Sequence, residues 1–172
     1  MSQAQSGLES SLGGQKHLAG KYLTFMLSEE QYGLRILKVQ EIIGVMKTTR
    51  VPGSPHYVKG VINLRGKIIP VVDLRLKFGL PELTYDDRTC VIVVEAELAG
   101  RGVAVGVIVD TVLEVINLES AKIEQSPNYG TNLDTKFVLG MARSPDNRVI
   151  ILIDGDQALK GAEVVAAVQM GA

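Results

Sequence analysis

Three blocks of this 172-residue sequence occur twice in the same order, and no other feature restricts the fold so tightly. Gly33-Leu34-Arg35-Ile36, followed by Val39-Gln40-Glu41-Ile42-Ile43, returns as Gly106-Val107-Ile108-Val109, followed by Val112-Leu113-Glu114-Val115-Ile116, at a constant offset of 106 − 33 = 73 residues. Tyr57-Val58-Lys59-Gly60-Val61 returns as Phe137-Val138-Leu139-Gly140-Met141, and the run Lys67 to Asp73 returns as Arg148 to Asp154. Preserved order with a drifting offset is the mark of two equivalent units whose loops differ in length. A unit of this size buries too little apolar surface to stand alone, so the two are expected to share an apolar seam.

The repeated blocks are rich in β-branched residues and short. Tyr22 to Leu27, then the turn chemistry of Ser28-Glu29-Glu30, then Tyr32 to Ile36 read as a hairpin. Val58 to Ile62 and Ile68 to Val72 read as strands around the turn Asn63-Leu64-Arg65-Gly66-Lys67. Val91 to Glu95, Val103 to Val109 and Val149 to Ile153 continue the series. Two short helices are expected, after Asp73 and after Asp154, each with an aspartate able to cap it and a glycine to stop it at Gly79 or Gly161. This is a mainly β chain of sandwich or small-barrel type. The organisation reads as a polar tail over 1–20, a first half over 21–86, a second over 87–160 and a terminal segment over 161–172. Strand exchange between the halves is left open.

Composition narrows the function. Hydrophobic residues make up 46% and charged residues 22%, the proportions of a folded globular chain. A formal net charge of −1, with three Phe and no Trp, offers nucleic acid neither a strong field nor an aromatic-basic face. The apolar runs are far shorter than the ~20 residues of a membrane helix, so no direct membrane insertion is expected. Nothing at the N-terminus reads as a signal peptide, and the lone Cys90, within Cys90-Val91-Ile92-Val93-Val94, reads as a buried hydrophobe; both fit a cytoplasmic protein.

The sequence lacks the patterns that catalysis requires. His17 and His56 have no second histidine or cysteine at metal-ligand spacing, and there is no phosphate-binding glycine loop or nucleophile elbow. Asp73, Asp110 and Asp154 end strands, where capping or anchoring a turn explains them. No enzymatic role and no cofactor are expected.

The informative polar groups lie inside apolar stretches. Val39 beside Glu41 reads as an apolar anchor with a charged rim, with Glu114 in the equivalent slot of the second half. Arg65 is lifted at a hairpin tip by Asn63 and Gly66, and Leu64 beside it either tucks under or meets a partner. Gly60, within a strand, points to the close approach of another backbone.

Ile36 to Ile43, and then Val58-Lys59-Gly60-Val61-Ile62-Asn63-Leu64-Arg65-Gly66 through Asp73-Leu74-Arg75-Leu76-Lys77-Phe78, closely resemble the CheW-like family of chemotaxis coupling proteins, and the similarity runs from about Lys21 to Lys160. The resemblance implies two similar five-stranded SH3-like β-barrel subdomains packed around a shared core, with short helices. It also implies a scaffold that joins the cytoplasmic tip of methyl-accepting chemotaxis receptors to the regulatory domain of the histidine kinase CheA, in arrays at the membrane. Carried over by motif, the receptor side comprises Val39, Glu41, Gly60, Asn63 and Arg65. The kinase side comprises Thr48 and Ile68 on one rim and the loop from Glu124 to Tyr129 on the other. Adaptors of the same fold in twitching-motility or developmental pathways are the alternative.

Overall fold

The computed structural model describes residues 18–125 and 135–162, and the chain there is mainly β. Eleven strands run in order: β1 (Gly20–Leu27), β2 (Glu30–Arg35), β3 (Val39–Gly44), β4 (Val58–Leu64), β5 (Lys67–Asp73), β6 (Cys90–Leu98), β7 (Arg101–Val109), β8 (Thr111–Leu118), β9 (Ile123–Gln125), β10 (Val138–Arg143) and β11 (Val149–Ile153). The two expected helices are present as α1 (Leu74–Lys77) and α2 (Gly155–Ala158), each a single turn. Asp73 accepts from the backbone N–H of Arg75, and Asp154 accepts from those of Asp156 and Gln157, so both carboxylates act as caps.

The strands form two sheets, ordered β8-β1-β2-β11-β10-β9 and β3-β6-β7-β5-β4. Strand for strand they are the same sheet. Val71 of β5 lies opposite Gly106 of β7 in parallel register, and Leu152 of β11 lies opposite Gly33 of β2. Register shifts fall at equivalent places too, between Val39 and Glu41 opposite β6 and between Leu23 and Phe25 opposite β8. The sixth strand is where the sheets differ. β9 pairs with β10 over three residues, whereas its counterpart beside β4 has shrunk to the single bridge Thr49–Val61.

Each sheet draws strands from both sequence halves. The hairpin β1–β2 precedes β3 in the chain but pairs with β8 and β11, while β6–β7 pairs with β3 and β5. The two SH3-like subdomains are therefore built by reciprocal exchange of hairpins. Alternation along the strands then sorts the apolar residues. Tyr22, Leu118, Ile123 and Leu152 fill the interior of the first barrel, and Ile62, Ile69, Val91 and Val93 that of the second. Phe25, Leu27, Val72, Ile92, Val94 and Val107 pack between the barrels with almost no exposure, giving the shared seam that the repeat demanded. At about 1.5–3 kcal/mol for each fully buried large side chain, this seam dominates the cohesion of the barrels. Cys90 is half-buried at the edge of the seam, less enclosed than its apolar run suggested, with its Sγ 3.2 Å from the Arg88 carbonyl oxygen.

Candidate protein-docking site

The turn between β4 and β5 consists of Arg65 and Gly66 alone, with φ of 53° and 85°. Two successive positive φ values define a type I′ turn, whose twist matches that of the flanking strands. Gly66 adopts this at no steric cost, and Asn63 Oδ1 accepts its N–H at 2.8 Å. The turn carries Arg65 across the mouth of the curled sheet to β3, the strand at its opposite edge. There Nη1 and Nη2 donate to the two carboxylate oxygens of Glu41, each at 2.6 Å. The Arg65 side chain is 72% exposed. Its two hydrogen bonds, and then its charge, hold the Glu41 carboxyl below the usual carboxylate range. An ion pair so exposed adds little to stability, so its geometry serves shape and recognition more than cohesion.

The bulge in β3 parts the two residues that the sequence placed together. Val39 lies opposite Val94 and packs on the seam, whereas Glu41 lies opposite Val93, on the barrel-interior side. Val39 is half-buried, and the exposed apolar group beside it is Leu37, in the 3₁₀ turn Ile36–Lys38, at 95% exposure. The slot of Leu37 in the second half is filled by Asp110, a polar residue, which fits an exposed position. Leu64 tucks under, packed on the interior of the second barrel.

Gly60 is buried and supports the site from below. Its φ is 142°, and a Cβ there would run into the carbonyl of Thr49, the close backbone approach expected for this position. Gly140 repeats the arrangement, with an added Cβ 2.6 Å from the Glu124 carbonyl oxygen. Thr48, half-buried, adjoins the bridge at Thr49, and Ile68 is exposed at the start of β5. Glu124 is exposed on β9. There a groove of about 810 Å³ brings Glu124 together with Glu114, Lys122, Met141 and Arg143. Tyr129 lies outside the described residues.

A double-barrel β module with one seam, outward-facing turns and open edges is a protein that presents surfaces. Among the described residues no group of three or more His, Cys, Asp or Glu could hold a metal ion, and no helix is long and apolar enough to cross a membrane. Comparison with known proteins agrees with this class. The family model for the CheW-like domain matches residues 21–163. The chemotaxis protein CheW of Klebsiella aerogenes is 40% identical over 144 residues, 84% of each chain. That of Bacillus subtilis is 37% identical over 139 residues, 81% of this chain and 86% of its own. A crystal structure of the scaffolding protein TtCheW from Thermoanaerobacter tengcongensis superposes with a TM-score of 0.72 at 39% identity, covering 83% of this chain and 93% of that one. The chain belongs to the CheW-like family of chemotaxis proteins.

Proposed function

We propose that this chain is a non-enzymatic scaffold that couples methyl-accepting chemotaxis receptors to the histidine kinase CheA and regulates the kinase through protein contacts. It is recruited from the cytoplasm to receptor arrays at the membrane. Support comes from its family and from the exposed Arg65–Glu41 pair, a bidentate polar group held on a rigid turn, with the exposed Leu37 preceding the bulge in the same edge segment. A charge fixed in this way gives an orientation-specific contact for a helical receptor tip. On this reading Val39, Glu41, Asn63 and Arg65 face the receptor, and Gly60 holds the strand that supports them. Thr48 and Ile68 on one rim, with Glu124 and Tyr129 on the other, face the kinase.

The test uses a receptor hairpin fragment and the regulatory domain of CheA, titrated separately by calorimetry. The double variant Arg65→Glu/Val39→Asp is expected to lose receptor binding at least tenfold while it keeps kinase binding, which also reports an intact fold. Unchanged receptor affinity in that variant would remove the receptor site, and an unmodified chain that binds neither fragment would remove the function.

A further inference from the structure

The two crossovers between the barrels carry ion pairs of opposite polarity. α1 and α2 are equivalent, each following its capping aspartate, and in each the cap accepts the N–H of the second residue beyond it. That residue is Arg75 in α1 and Asp156 in α2. Ser28 and Glu97 are likewise equivalent, each three residues past a pair of matching positions, Phe25 opposite Val112 and Val94 opposite Val39. At the first crossover, from β7 to β8, Arg75 Nη1 donates to Asp110 Oδ2 at 2.6 Å, and the same oxygen accepts the Ser28 N–H at 2.7 Å. At the second, from β2 to β3, Asp156 Oδ1 accepts the Glu97 N–H at 2.8 Å and meets Lys38 Nζ at 3.4 Å. Lys38 stands one residue past the slot that corresponds to Asp110, which Leu37 occupies. Each hairpin N–H thus finds a carboxylate, but the first clasp has its cation on the helix and the second has its cation on the crossover.

We propose that this inversion is how each half of the chain selects the other half over the same half of a second copy. The competitor is real because the sheets are equivalent strand for strand and built by exchange, so the backbone alone does not distinguish like from unlike halves. Charge does. Two first halves would set Arg75 against Lys38, and two second halves would set Asp156 against Asp110 with a single N–H between the carboxylates. Arg75 is almost wholly buried and Asp110 and Asp156 are mostly so, which leaves like charges there poorly screened. Breaking the symmetry of a duplicated fold in this way is negative selection against a wrong assembly.

A disulfide reports the wrong pairing. Leu37 fills the slot equivalent to Asp110, so in a pairing of two first halves Ser28 of one copy would face Leu37 of the other. The reporter is therefore Ser28→Cys/Leu37→Cys in a Cys90→Ser background, unfolded in urea, refolded at high concentration in a glutathione buffer and scored for covalent dimer. Arg75→Asp/Asp110→Lys gives the first clasp the polarity that the second already holds, and the halves then lose their charge distinction. Covalent dimer is expected to rise about tenfold over the unaltered clasps, equivalent to about 1.4 kcal/mol. Lys38→Asp/Asp156→Lys, at the more exposed clasp, makes the clasps alike in the other sense and is expected to do the same. Combining all four substitutions restores an inversion and returns the dimer to its starting level. Dimer yields unchanged in both reversed pairs overturn the proposal. So does a yield that stays raised with all four, or failure of both pairs to refold, since equivalent backbones should accept either polarity.

Discussion

Arg65 occupies a backbone conformation that an L-residue with a Cβ adopts at a cost, φ 53° at the first position of a type I′ turn. Asparagine tolerates that conformation better, as its short amide bonds locally. An arginine there is explained by what the side chain does, which is to span the barrel mouth and grip Glu41 with both terminal guanidinium nitrogens. Arg65→Asn is therefore expected to raise the melting temperature by roughly 2–4 °C, the effect of relieving a modest backbone strain in a domain of this size, while weakening receptor-fragment binding. Calorimetric melting beside a binding titration checks both halves of the trade, and a variant that melts lower would place the contribution of Arg65 in the fold. This turn was legible in sequence because Asn63 and Gly66 each answer a local demand of the backbone. The separation of Val39 from Glu41 was not, because it depends on a bulge set by pairing with β6, and simple alternation puts residues two apart on one face.

At the scale of elements, the helix caps were readable from Asp73 and Asp154, but the burial of one of them was not. Asp73 is fully buried, and its second oxygen accepts the Tyr85 hydroxyl at 2.8 Å, which fastens the segment between α1 and β6 to the end of β5. Burial, and then this bond to a carboxylate, push the Tyr85 phenol well above its usual range. The folded chain thus holds the Tyr85 proton at pH values where the unfolded chain has released it. The associated stability is complete below the ordinary tyrosine pKa of about 10 and is lost as pH rises above it. Tyr22 and Tyr32 are raised as well, chiefly by burial, and add to the same alkaline loss. Tyr85→Phe is expected to make the decline of unfolding free energy above pH 10 shallower without abolishing it. Urea titrations from pH 8 to 11 measure the slope, and an unchanged slope would mean that Tyr85 ionises as an exposed phenol.

For the whole molecule, the repeat announced two units and a shared seam, yet the units of sequence are not the units of structure. Gly33 and Gly106 head equivalent blocks, but the strands that bear them lie in opposite sheets, because β2 crosses to β3 and β7 crosses to β8. Similar halves offer similar partners to every hairpin, so local propensity carries no preference between pairing within a half and pairing across halves. Exchange makes the barrels inseparable, since each one's hairpin is tethered to the other's strands and Phe25, on β1, packs into the seam between them. Phe25 is wholly buried and stacks on Tyr32 with ring centroids 5.8 Å apart. Phe25→Ala is expected to cost about 3–5 kcal/mol, a large share of the 5–15 kcal/mol typical of a domain. That loss should fall on both sheets, although Phe25 belongs to only one. Native-state hydrogen exchange distinguishes the cases: amides in β2 of the first sheet and in β6 of the second should lose protection by the same factor, in one cooperative opening. Retained protection in β6 with loss confined to β2 would mean that the second barrel stands without the first, and that the seam joins two bodies instead of making one.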